Sequence, residues 1–432
     1  MRAAGFDRAA FEQFLAGRAE PDWLTEHRRA AFDRFEASPL PIERDELWRH
    51  TDLRALGFAF DDYHLSAGPR AATGADSAMA ELGERAGLAV LSGDRVTHSE
   101  LAPAQQKQGV YLGSIHDALT RTSGDLRDLL TARSVPPSTG KFQAFHAAFW
   151  PAGVFLHLPP DAQIELPLHI AVQAHENGAA VLPRIVIHAE AGSRATVILH
   201  YDSPAETVGL CVSQAELALE PGAKLRFTSM QQWGGAMRHF AHYRAYCAEK
   251  SELRSLVAAL GGTLSRSEVE SLLEGEHSLS EMLGLYFATA EQHLDFRTLQ
   301  SHLAPHTTSD LLYKGALKDA SRSVYAGLIK VHPGAQKTDA YQANRNLVLG
   351  GTARADSMPK LEIEANDVRC THGATVGKVD PEQLFFLRSR GLPRLLAERL
   401  LVMGFYQQVL ERIPDERLRG VLLTAVTEKL GI

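Results

Sequence analysis

From about residue 141 to residue 377 the chain is a succession of short runs in which apolar and polar residues alternate. GVFLHLP, QIELPLHIAVQ, RIVIHAE, ATVILHY, AELALE and KLRFTSM are examples. A period of two sends successive side chains to opposite faces of a β-strand. Between the runs a turn recurs: an acidic or apolar residue, Ala or Pro, Gly, then Ala or Ser, as in HAEAGSRATV, ALEPGAKLRF and KVHPGAQKTD. Gly192 and Gly222 lie about one 30-residue period apart, and markers at Asp319, Gly334, Gly351 and Asn366 follow at roughly 15 to 17 residues. Such imperfect repetition is the mark of a strand solenoid, where each coil gives one strand per face and stacking buries the inward residues. A β-sandwich or jelly roll also shows many short strands, and periodicity leaves these alternatives open. The Glu-rich stretch SEVESLLEGEHSLSEM reads as a turn-and-edge region rather than a helix.

Helical texture flanks this core. Asp22 is placed to cap a helix from Trp23 to Glu36, with Leu24, Ala31, Phe32 and Phe35 at near-helical spacing. Residues 66–78, SAGPRAATGADSA, read as a linker. Strand-like runs at Leu88–Leu91 and Gly109–Leu112 precede a helical stretch over 115–132. Beyond Gly377, Asp380 suits an N-cap, Pro381 the first helical position and Gln383 a capping box, while Gly391 ends that helix. A second helix runs from about Pro393 to Ile413, with Leu396, Leu400, Met403 and Val409 along one side, and Pro414 opens a third. The expected organisation is 1–135, helical with short strands and a linker; 136–377, the strand core; and 378–432, a helical tail capping the solenoid.

Composition excludes several function classes. A formal charge of -7 on 432 residues gives no basic surface for nucleic acid. No apolar run approaches the roughly 20 residues that span a bilayer. The N-terminal MRAAGFDRAAFEQFLAG, broken by Asp7 and Glu12, lacks a signal-peptide core. Cys211, Cys247 and Cys370 are few, odd in number and far apart, which points to a reducing cytoplasm. Without a CxxC pair the chain alone supplies no tetrahedral thiolate site. STGK at Ser138–Lys141 is no phosphate loop, because Val135 stands where glycine is required and Phe142 where Ser or Thr is. No GxSxG or HExxH motif and no GxGxxG after a strand is present. The nineteen histidines form no close ligand array along the sequence, and His239 and His242 point to opposite faces if their segment is a strand.

One pair stands out. In NDVRCTHGATVG, Cys370 and His372 share one side of an extended strand with Val368. They are either a ligand pair or a buried thiol beside a core imidazole. Two ligands from one strand do not close a metal site, so the ligand reading needs groups from another chain.

MPKLEIEANDVRCTHGATVGKVDPEQLFFLRSRGL (Met358–Leu392) closely resembles the hallmark segment of the SufB/SufD family, core subunits of the SUF iron–sulfur cluster assembly machinery. PDWLTEHRRAAFDRF…PLP…ELWRHTDL over residues 21–53 and YAGLIKVHPGAQKTDAYQANRNLVLG over 325–350 extend the resemblance to essentially the whole chain. Length, the WRHTDL region and the cysteine pattern look like the SufD branch. SufB carries further cysteines, one of them in the segment matching QANRNLVLG, where this chain has Asn344, Asn346 and Leu347.

The resemblance implies a mainly β fold: a right-handed parallel β-helix with helical regions at both ends. It implies a complex of one SufB, one SufD and two SufC subunits, SufC being an ABC-type ATPase. This chain is then a non-catalytic scaffold subunit in the cytoplasm with no nucleotide site of its own. Leu396, Leu400, Met403, Phe405 and Val409 are the residues expected to contact SufC. His372 holds the position of a family histidine implicated in forming the nascent cluster at the SufB–SufD interface. With thiolate and carboxylate ligands from SufB it would hold iron or a transient iron–sulfur cluster, while Cys370 is a further ligand or a buried neighbour. Cluster type, iron source, reduced flavin in the assembled complex and homodimer formation by the isolated chain stay open. The rival readings are a secreted-type β-helix carbohydrate-active enzyme and a cupin-like metal-binding protein. The sequence shows neither an acidic catalytic cluster nor a compact His/Glu ligand cluster.

Overall fold

The computed structural model describes residues 5–66, 68, 83–120 and 125–431, so the expected linker lies outside the described residues except for Ser66 and Gly68. Strand-like runs become the strands of two parallel sheets, and the chain alternates between them. The first sheet runs from Ala152–Leu158 through Pro183–Ala189, Gly209–Leu219, Met237–Cys247, Leu264–Leu273, His293–His302 and Arg322–Val331 to Arg354–Ile363. The second runs from Leu168–Gln173 through Arg194–Asp202, Lys224–Gln232, Glu252–Ala259, Leu279–Ala288, Thr308–Leu317 and Asp339–Val348 to Arg369–Lys378. This is a parallel β-solenoid of about eight turns with helices at both ends of the chain, and it decides against a sandwich or jelly roll. Gly87–Ser92 adds a parallel strand to the second sheet, and Tyr111–Ser114 an antiparallel one to the first.

Stacking in register explains the alternation. Val154, Leu156, Ile185, Ile187, Val197 and Leu199 point between the sheets and are fully buried. Further along, the interior uses reciprocal Gly–Tyr pairs: Gly284 lies opposite Tyr313, and Tyr286 opposite Gly315. Each ring occupies the space a side chain would need, since a Cβ on Gly315 would sit 1.8 Å from the Tyr286 ring and one on Gly284 would sit 2.3 Å from Tyr313.

The turns repeat a conformation rather than a residue. Gly192 and Gly222 have φ of +70° and +72°, and Asp161, Lys250, His277, His306 and Lys337 adopt φ between +55° and +62°. The amide of Gly192 donates to Pro221 O at 3.0 Å, that of Gly222 to Glu249 O at 2.8 Å and that of Lys250 to Glu276 O at 2.9 Å. A left-handed conformation costs a non-glycine residue about 1–2 kcal/mol, and at Lys250 the same coil-to-coil hydrogen bond forms without glycine.

Both outer faces carry helices. Asp22–Ala37 starts one residue earlier than expected: Pro21 precedes it, and Asp22 is its first helical residue rather than a cap. With Arg8–Ala16 and Lys141–Phe149 it builds an aromatic cluster of Phe11, Phe32, Phe145 and Phe149 over Val186, Leu210 and Val212 of the first sheet. Lys141, the lysine of STGK, donates instead to the carbonyls of Phe35 and Ser38 at 2.8 and 2.5 Å. Asp380 accepts from the Glu382 amide as a cap for Pro381–Ser389, and Gly391 has φ +87°.

The following helices, Arg394–Leu410 and Glu416–Leu430, correct the expectation of a capping tail. They lie along the side of the solenoid, where Val402, Tyr406, Val409, Leu422 and Val426 cover Leu283, Leu285, Phe287 and Leu312 of the second sheet. Those outward positions are apolar and require a cover. The expected edge at SEVESLLEGEHSLSEM is corrected too. Leu264–Leu273 and Leu279–Ala288 are central strands, and the outward Glu268 and Glu270 are tolerated because basic groups meet them.

Candidate functional site at the open end

The solenoid is covered on its flanks and open at its far end. Among the described residues, Arg354–Ile363 and Arg369–Lys378 each have a strand neighbour on one side only, and most of their residues are solvent-accessible. Pro359 fits this placement, because a residue without an amide proton belongs on an edge strand. Cys370 and His372 lie on the last strand, opposite Ala340 and Gln342, and both occupy its inward-facing register. Their surroundings differ. Cys370 is half-buried against Ile329, Val331, Ala335, Ala340 and Ala365, and burial together with nearby Asp339 raises its thiol above the usual range. His372 is exposed. Cys211 and Cys247 are sealed in the aliphatic interior, where burial holds Cys211 well above a normal thiol and Cys247 at about 12. Neither offers a thiolate.

The interior below the open end is polar. Tyr286 Oη donates to Asn346 Oδ1 at 2.6 Å, Asn344 Nδ2 to Tyr286 Oη at 3.0 Å, and Asn346 Nδ2 to Asn344 Oδ1 at 2.7 Å. Gln342, the residue beneath His372, donates to Gly327 O and Lys360 O, both at 3.3 Å. Buried amides demand such partners, and a closed network fixes where each side chain points.

Two distant sequence motifs meet at this end. Trp48 of ELWRHTDL stacks on Phe142, with the Arg266 guanidinium 4.0 Å from its ring. Thr51 donates to buried Asp295 at 2.7 Å, and Glu46 forms an ion pair with Lys360 of MPKLEIE. His239 and His242 do face opposite ways. His239 points inward to Ser213, at 3.1 Å, and burial lowers it to about 3. His242 points outward; burial opposes its charge, but Glu270 and Glu268 prevail and hold it at about 9.

The expected helix contacts divide. Val409 is fully buried within the chain, and Met403 and Phe405 pack partly against the second sheet, with Lys314 Nζ donating to Phe405 O at 2.8 Å. Leu396 and Leu400 face outward, Leu400 with 46% of its surface exposed, beside Leu395, Phe385 and Phe386. Large exposed apolar side chains in this number make this side of the helices a candidate interaction surface.

The expectation that no His/Glu ligand cluster exists is corrected. Among the described residues the fold brings together His157, His188 and Glu190. They lie one coil apart, a separation that motif spacing does not reveal.

A family model described as the SUF system FeS cluster assembly SufBD core domain matches residues 171–405, and the SufBD protein N-terminal region matches 12–170. The chain belongs to the SufB/SufD family. An iron-sulfur cluster assembly SufBD family protein of Mycobacterium leprae is 32% identical over 412 residues, 93% of each chain. The iron-sulfur cluster assembly protein SufD of Bacillus subtilis is 27% identical over 98% of each chain, and SufB of the same organism is 24% identical over 95% of this chain and 90% of its own. Among the described residues no helix is long and apolar enough to cross a membrane.

Proposed function

We propose that the chain is a SufD-type scaffold subunit of a cytoplasmic iron–sulfur cluster assembly complex, without catalytic machinery of its own. The observation that carries this reading is the bare terminal coil, with two open strand edges and His372 exposed beside them. An open edge accepts further strands through main-chain hydrogen bonds, and a SufB-like paralogue built from the same coils offers them at the same spacing. Iron or a nascent cluster is cargo at that junction. The imidazole of His372 is the donor this chain offers first, since burial and Asp339 disfavour the Cys370 thiolate. Thiolate and carboxylate groups of the paralogue complete the shell. Phe385, Phe386, Leu396 and Leu400 form the surface that docks a SufC-type ATPase.

The test is anaerobic co-expression with the SufB-like and SufC-like partners, comparing the wild type with His372→Ala and with Leu396→Asp/Leu400→Asp. The expected result for His372→Ala is an intact complex that has lost its iron and sulfide. The double variant is expected to keep the paralogue and lose the ATPase. Unchanged iron and sulfide in His372→Ala would reduce the terminal coil to architecture.

A further inference from the structure

Away from the open end, the outer flank of the first sheet carries a constellation that the assembly role leaves unused. His157 and His188 are paired residues of adjacent parallel strands, so the register sets their imidazoles side by side, tilted by 35° with centroids 5.7 Å apart. Glu190 follows the second of these strands directly. Its amide donates to Leu158 O at 3.0 Å, which holds the turn beside His157, and its carboxylate lies 2.5 Å from His157 Nε2. One ligand atom from each of the three residues falls within 4.8 Å of the others. Glu220 takes the corresponding place one coil on, its Oε1 3.6 Å from His188 Nε2 and 3.0 Å from Arg133 Nη1. The side chains of His157, His188 and Glu190 are 27%, 11% and 29% exposed, which gives a hydrated cation access.

We propose that His157, His188 and Glu190 bind a divalent first-row transition cation, with Glu220 in reach as a fourth donor. Metal–ligand bonds of about 2.0–2.2 Å in a tetrahedral shell put donor atoms roughly 3.3–3.5 Å apart, and small side-chain rotations bring this set to that spacing. Two imidazoles with a carboxylate select Zn²⁺, Fe²⁺ or Co²⁺ over Mg²⁺ and Ca²⁺, which take oxygen ligands. Glu190 supplies one negative charge, and Arg133 offsets that of Glu220, so a dication is not over-neutralised. Along the sheet the site stands six strand spacings from the terminal coil, roughly 29 Å, and so cannot share a metal with His372.

The experiment is anaerobic titration of the full-length chain with Co²⁺, followed by its visible absorption, with competition by Zn²⁺, Fe²⁺ and Mg²⁺. One equivalent of Co²⁺ is expected to give bands of a four- or five-coordinate site that Zn²⁺ and Fe²⁺ displace and Mg²⁺ does not. Losing a group that merely supports a metal ligand costs about 10–100-fold in affinity, so His157→Ala and His188→Ala are expected to weaken binding at least tenfold. Glu190→Gln keeps the shape of a part-exposed side chain, preserves folding by circular dichroism and is expected to weaken binding comparably. His372→Ala is expected to leave it unchanged. Absence of binding, or binding lost in His372→Ala or Cys370→Ser while Glu190→Gln retains it, would overturn the proposal.

Discussion

The first and last coils of the solenoid share a backbone plan and differ in almost everything their side chains do. In the first coils Val, Leu and Ile fill the space between the sheets, and helices lie over the outer faces. In the last, Asn344, Asn346, Gln342 and Tyr325 take the interior, and the final strands are bare. The covered coils derive their stability from apolar burial, while the open coil forgoes burial and keeps two strand edges that a solitary domain would blunt. Charges at Arg354, Asp356, Lys360 and Glu362, with Pro359, restrain indiscriminate pairing there.

The sharpest way to break this comparison is one aliphatic truncation at each end. Leu199→Ala, in the sealed interior, is expected to cost about 2–5 kcal/mol in urea denaturation. Val376→Ala, on the exposed last strand, is expected to stay within about 0.5 kcal/mol. Equal losses would mean that the last coil is as well packed as the first. Glycine additions give a smaller contrast. Gly315→Ala forces a methyl into the Tyr286 ring and is expected to cost about 1–3 kcal/mol, whereas a Cβ on Gly377 meets nothing within 4 Å, leaving only the backbone preference. A melt that separates the two variants by several degrees supports the difference.

A further contrast is in pH. His242, under the N-terminal cover, titrates at about 9 in the folded chain against an ordinary 6.5. Its charge therefore stabilises the fold fully below about pH 6.5, and that contribution fades as pH rises through 9. Stability measured from pH 6 to 10 is expected to fall less steeply in His242→Gln than in the wild type. Parallel curves would remove the charged imidazole from the account.

Much of the fold was legible in the residues. Alternation and the Gly192–Gly222 spacing announce stacked strands, and Asp380-Pro381 marks a helix start that the structure reproduces. The period fades after Gly222 because Lys250, His277, His306 and Lys337 hold the same left-handed turn without glycine. SEVESLLEGEHSLSEM was opaque for a related reason: its outward glutamates look solvated until Arg266, His242 and Arg244 are placed against them. At the candidate site, the shared face of Cys370 and His372 follows from period two alone. Their unequal burial does not, because it depends on which strands flank the last one.

The sequence alone determined the parts that rest on local rules: strand period, helix signals, the paucity of thiols and the motifs that place the chain among SufB/SufD proteins. Tertiary structure decided what depends on contacts between coils. It laid the C-terminal helices along the second sheet rather than over its end, turned Val409 inward and Leu400 outward, and set His157 beside His188. Parallel pairing joins residues about a coil apart, and no local pattern records which side chains will meet across that distance.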